Sequence, residues 1–263
     1  MNNLLKINKI EKLDLINSLF WPLDWNITLL KKINQKLGIH DVLCKYFYSI
    51  AKFAMLLNSI ISSNLEIEGK ENIPKEGGAI LAINHQSWLD AGSVVMACPR
   101  TLHFMAKEEL FKMPILRHFL ELANTISVKR GHKHSLENVY SILHDGHLIG
   151  IFPEGTIPGE ENIPRSAVEP ATGLLKGKTG AVRLALRTRV PIIPTGVSGT
   201  GKSLPPEVFP RLEKLPNLKS YPLKVHFGKP IDYSEYYEKE INYDLLRRLT
   251  DELMVQISKL VID

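Results

Sequence analysis

The chain has 263 residues, 44% of them hydrophobic and 23% charged, with 33 Lys and Arg against 28 Asp and Glu for a formal net charge of +5. These are globular proportions, which exclude a fully disordered or fibrous chain, and the length suits one large α/β domain with or without an appendage. The longest uncharged stretches, Phe53–Leu65 and Gly77–Leu89, have thirteen residues each, short of the ~18 apolar residues a membrane span requires, so a polytopic membrane protein is excluded as well.

In chain order, Lys6, Lys9, Glu11, Lys12 and Asp14 break the first apolar run, so no cleavable signal peptide is expected. Leu15–Leu37 reads as an amphipathic helix entered around Pro22, with Trp21 and Trp25 at its start, Lys31, Lys32 and Lys36 at its end, and Gly38 as its stop. In Val42–Ile61, Lys45, Ser49, Lys52 and Ser59 share one narrow helical stripe, and Tyr46, Phe47, Phe53, Met55 and Leu57 form a broad face opposite. Two such helices also suit packing on a protein core, but the width of the apolar face favours an anionic membrane surface. Trp21, Trp25, Phe47 and Phe53 would enter the interface, and Lys45 and Lys52 would meet headgroups. The only cysteines, Cys44 and Cys98, make no disulfide framework and suit a reducing compartment.

The expected division is therefore 1–64, a membrane-association element, and 65–263, the main domain. Strands are expected at Leu65–Glu68, Ala79–Ile83, Leu102–Ala106, Thr125–Val128, Leu148–Phe152, Ile192–Val197 and Leu223–Phe227, and helices at Trp88–Ala97, Pro114–Leu122, His134–His144, Gly180–Arg187 and Tyr243–Val261. Apolar strands separated by helices predict an α/β fold with a mixed, largely parallel sheet flanked by helices. The connection Ile157–Lys176 lacks periodicity, and loops of that length are usually functional or mobile.

Four blocks carry chemistry. Asn84-His85-Gln86-Ser87-Trp88-Leu89-Asp90 ends an apolar strand and opens a helix; a neutral histidine accepts a proton from an alcohol when a carboxylate holds its other ring nitrogen. Val128-Lys129-Arg130-Gly131 sets an arginine just past a strand end, suited to a phosphate monoester. Phe152-Pro153-Glu154-Gly155-Thr156 is a sharp turn whose backbone N–H groups and hydroxyl suit a glycerol or phosphate. Val190-Pro191-Ile192-Ile193-Pro194 is a strand opened by proline.

In that order the four blocks resemble the glycerophospholipid acyltransferase superfamily, specifically its bacterial 1-acyl-glycerol-3-phosphate (lysophosphatidic acid) members, over about Leu65 to Pro230. The resemblance implies the glycerolipid acyltransferase fold, a catalytic pair His85 and Asp90, and acceptor binding by Arg130, Glu154, Gly155 and Thr156. It implies transfer of an acyl group from acyl-ACP or acyl-CoA, a co-substrate rather than a cofactor, to the sn-2 hydroxyl of lysophosphatidic acid at the cytoplasmic face of the cell membrane. No metal is required. Lys107, just past a strand, is a candidate oxyanion or phosphate contact. With no G-x-S-x-G elbow, a covalent acyl-enzyme is not expected. One departure stands out: where the third block often continues Arg-Ser, Ile157-Pro158 follow the threonine here.

Two basic regions carry the positive excess: residues 1–64, and 165–203, where seven Lys and Arg face the single acid Glu169 and Arg183 and Arg187 share a helical face. Neither has the aromatic-interleaved pattern of a nucleic-acid site. Gly196–Ser203 (GVSGTGKS) matches the phosphate-loop pattern letter for letter, making a nucleotide-binding protein the rival from another class. That motif needs a helix starting at Lys202-Ser203, and Pro205-Pro206 oppose one. An acyltransferase with another acceptor, glycerol-3-phosphate or a lyso-aminolipid, is the nearer alternative.

Overall fold

The computed structural model describes residues 65–112, 117, 120, 125–128, 133–159, 163–207 and 221–261. Expectations for Trp21, Trp25, Lys45, Phe47, Lys52, Phe53 and Arg130, and most of the helix expected at Pro114–Leu122, lie outside the described residues.

Seven strands form one sheet: β1 (Leu65–Glu68), β2 (Ala79–Ile83), β3 (Leu102–Lys107), β4 (Ile126–Val128), β5 (Leu148–Ile151), β6 (Ile192–Ser198) and β7 (Leu223–Phe227), in the order β1-β7-β6-β2-β5-β3-β4. β6, β2, β5, β3 and β4 run parallel; β7 pairs antiparallel with β6, and β1 parallel with β7. Helices are α1 (Asp90–Ala97), α2 (Lys133–His144), α3 (Gly180–Thr188), α4 (Thr200–Ser203) and α5 (Tyr243–Ser258).

The apolar runs in the sequence become the central strands because both sheet faces are covered. All five residues of β2 and all seven of β6 are buried. Since side chains alternate across a strand, Ile80 and Ala82 join one core with Val139 and Leu143 of α2, Ala181 and Ala185 of α3, and Leu249 and Leu253 of α5. Ala79, Leu81 and Ile83 join the other, with Val94 and Ala97 of α1, Phe104 and Phe227.

Two helix boundaries differ from expectation by more than one residue. α1 begins at Asp90 rather than Trp88, because the preceding N–H groups wrap the Asp90 carboxylate instead of continuing a helix. α5, capped by Asn242 accepting from the Leu245 N–H at 2.9 Å, ends at Ser258 rather than Val261; there Leu260 and Val261 bond back to Ile257 and Ser258, tightening the last turn. The phosphate-loop lookalike holds only α4, a single turn that ends at Ser203, where the motif would need a helix to start. Its end buttresses the site instead: the Leu204 carbonyl accepts from the Ser87 hydroxyl at 2.7 Å.

Candidate active site

Ligand sites of parallel α/β sheets lie at the carboxyl ends of the strands, and there β2 and β5 release the His85 and Glu154 turns side by side. Beyond Ile83 the chain is pinned to β6: the Asn84 side chain donates to the Val197 carbonyl at 2.9 Å and accepts from the Val197 N–H at 2.6 Å, fully buried. Held so, residue 85 starts a tight turn around one atom. Asp90 Oδ2 accepts from the Gln86 N–H at 2.6 Å and the Ser87 N–H at 2.8 Å, and lies 2.8 Å from His85 Nδ1. The Asp90 side chain is fully buried and that of His85 retains 18% exposure. With Nδ1 donating to a buried carboxylate, the second ring nitrogen is left as the proton acceptor.

The imidazole is also gripped through its face. Phe152, the first residue past β5, stacks on the His85 ring at 3.9 Å between centroids, with 16° between planes. Phe104 of β3 stacks on Phe152 in turn, at 5.5 Å. The Phe104 ring crosses Gly150, where an added Cβ would lie 2.7 Å from Cε1; β5 therefore carries glycine at that point. No spacing in the sequence marks these rings, since stacking across strands leaves no signature along the chain.

Glu154 has a more definite setting than a place among acceptor-binding residues. One carboxylate oxygen accepts from the His85 N–H at 2.7 Å, the other from the Leu175 N–H at 2.8 Å, and the residue is 3% exposed. It braces the backbone beneath the histidine against the segment entering α3. Burial pushes its carboxyl up to about 7, against the lowering effect of the two N–H donors. Between the ordinary 4.5 and about 7, the folded protein holds a proton that the unfolded chain has lost, so stability is greatest below that window and falls as pH rises through it. The expected loss is of order 3 kcal/mol. In Glu154→Gln, which does not titrate and whose amide satisfies only one of the two donors, thermal melts between about pH 4.5 and pH 8 should lack this step. A variant profile parallel to the wild type would refute it.

Gly155 takes φ 69°, a conformation glycine adopts without strain, and Thr156 is half-buried beside it. Ile157, which follows the threonine in place of arginine, is 1% exposed and belongs to the interior. Lys107 stands exposed at the end of β3. It lies two strands from β2 in the sheet order, about 10 Å at the usual strand spacing.

The arrangement thus joins His85, Asp90 and Glu154 into one unit with Gly155 and Thr156 adjacent, and sets Lys107 apart. It can abstract a proton from a hydroxyl and return it to a leaving group.

The model of the Acyltransferase family matches residues 64–198. The 1-acyl-sn-glycerol-3-phosphate acyltransferase of Bacillus subtilis is 25% identical over 218 residues, 81% of this chain and 96% of that protein. A chloroplastic 1-acyl-sn-glycerol-3-phosphate acyltransferase of Arabidopsis thaliana is 27% identical over 166 residues, 61% of this chain and 43% of that protein. In fold, the crystal structure of the 1-acyl-sn-glycerophosphate (LPA) acyltransferase PlsC from Thermotoga maritima superimposes with a TM-score of 0.61 at 21% identity, covering 94% of this chain and 92% of that one.

Proposed function

The chain belongs to the Acyltransferase family, and from that premise we propose that it moves a fatty acyl group from acyl-ACP or acyl-CoA to the sn-2 hydroxyl of 1-acyl-sn-glycerol-3-phosphate. The products are phosphatidic acid, for phospholipid synthesis, and the free carrier thiol. The single observation that carries the chemistry is the 2.8 Å pairing of His85 with buried Asp90. The names of the bacterial and chloroplast relatives support the acceptor.

His85 takes the sn-2 hydroxyl proton as that oxygen attacks the thioester carbonyl, a contribution of roughly 10²–10⁴ in rate. Asp90 holds the tautomer and balances the imidazolium. Collapse of the tetrahedral intermediate breaks the carbon–sulfur bond, and His85 returns its proton to the departing thiolate. An oxyanion donor is also required, a contact of this kind being worth ~10²–10³, and Lys107, two strands from β2, is not assigned that role. Arg130, with Gly155 and Thr156, receives the glycerol-phosphate end, and Glu154 acts beneath them as the brace.

Residues 1–64 make the attachment in this reading, lying in the cytoplasmic leaflet with one face among the acyl chains. No helix among the described residues is long and apolar enough to cross a membrane. In the full chain, replacing Lys45 and Lys52 together by Glu should cut sedimentation with anionic vesicles at least tenfold at low salt, each surface cation contributing about 1 kcal/mol. Unchanged partition would sink the interfacial reading.

The function itself is tested with purified protein in detergent, pairing acyl-ACP and acyl-CoA with lysophosphatidic acid and with glycerol-3-phosphate. Phosphatidic acid should form with lysophosphatidic acid; turnover only with glycerol-3-phosphate would move the assignment to that acceptor.

A further inference from the structure

The segment entering α3 lies along the Glu-Gly-Thr turn and is fastened to it at successive points. The Leu175 N–H donates to Glu154 at 2.8 Å, the Lys178 N–H donates to the Pro153 carbonyl at 2.8 Å, and Arg247 of α5 donates to the Gly177 carbonyl at 2.7 Å. Leu174, Leu175 and Gly177 are buried, whereas Lys178 is exposed. Its side chain nevertheless follows the turn. It lies across the α-carbon of Gly155, where an added Cβ would be 3.0 Å from Lys178 Cε and 3.1 Å from Cδ and would run into Nζ. A fixed backbone and a flattened stem thus hold an ammonium group on the turn that starts with Phe152, the ring stacked on His85.

That location has a chemical consequence. Two buried carboxyl groups, Asp90 and Glu154, surround His85, and an acceptor carrying a phosphate monoester must bring further negative charge beside them. Its phosphorus is only a few bonds from the sn-2 oxygen, so a cation that receives it must sit close to the histidine. The turn offers none of its own at the next position, where Ile157 is buried. We propose that Lys178, held against Gly155, contacts the phosphate monoester of the acceptor and selects phosphorylated over unphosphorylated lysolipids. This rests on the acceptor assignment made above and adds a residue to it.

The test compares Lys178→Met and Lys178→Arg with the wild type on lysophosphatidic acid and on monoacylglycerol, which lacks the phosphate, using acyl-ACP and acyl-CoA in turn. Loss of one charge-assisted contact at an exposed site predicts a KM for lysophosphatidic acid raised roughly tenfold in Lys178→Met, with kcat within about threefold. The preference for lysophosphatidic acid over monoacylglycerol, as a ratio of kcat/KM, should shrink by the same factor. Lys178→Arg should recover most of both. A KM for lysophosphatidic acid within twofold of wild type overturns the inference. So does a rise confined to the KM for acyl-CoA, which would put the lysine on the donor's phosphates. An equal loss on both acceptors with a lowered melting temperature overturns it too, by reducing the residue to a structural one. A wild type that acylates another acceptor but not lysophosphatidic acid removes the acceptor assignment itself, and the inference with it.

Discussion

His85→Ala should lower kcat by roughly 10²–10⁴, the range supplied by a positioned general base, while leaving a folded protein that still binds lysophosphatidic acid. The fold should survive because the turn does not depend on the imidazole: Asp90 Oδ2 keeps the Gln86 and Ser87 N–H groups. Glu154 bonds the backbone N–H of residue 85, which alanine also has. What disappears is the ring stacked on Phe152 and the proton acceptor it carries. Removing an interaction made mainly in the transition state lowers kcat and kcat/KM together and moves KM little. Single-turnover rates and equilibrium binding of lysophosphatidic acid by the purified variant check both halves. A variant within tenfold of wild-type kcat, or one that no longer binds the acceptor, would remove His85 from the role of base.

Much of this architecture was legible because burial on both sheet faces writes continuous apolar runs into β2, β5 and β6. Every expected strand appears among the described residues, with ends moved by a residue at most. The direction of β7 was not legible. Its alternating pattern of buried and half-buried residues suits an antiparallel or a parallel neighbour equally, since side-chain alternation does not encode chain direction. In the site, His85 and Asp90 were legible as a pair because their chemistry depends on side-chain identity at a short spacing.

The supporting groups were not legible, for one physical reason: their partners are backbone groups or ring faces distant in sequence. Glu154 reaches the amides of residues 85 and 175, and Asn84 clamps the backbone of residue 197. Any residue but proline supplies those amides, so nothing at positions 85, 175 or 197 announces them. Lys178 was visible only as one member of a basic stretch; its position on Gly155 follows from the fold. The phosphate-loop pattern at Gly196–Ser203 gives the reverse lesson. The letters matched, but the prolines after Leu204 decided the backbone, and the segment became a buttress for the Ser87 turn.

Asp90→Asn is the sharper test, because it changes charge while nearly preserving shape. The Gln86 and Ser87 N–H groups converge on Oδ2, so the amide oxygen must occupy that place and the new NH2 must take the place of Oδ1. Oδ1 is buried without a hydrogen-bond partner; the NH2 would be a buried, unsatisfied donor there, costing about 1–3 kcal/mol of stability. The His85 Nδ1–H still finds an oxygen, but the imidazolium formed during proton transfer loses its negative partner in a site shielded from solvent. The expected result is a kcat lower by roughly 10²–10³ with little change in KM for either substrate. Since Asp90 acts only through His85, the double variant His85→Ala/Asp90→Asn should be no slower than His85→Ala alone, a departure from additivity that marks residues working as one unit. Losses that multiply in the double variant would mean that Asp90 serves the reaction by a route independent of the histidine.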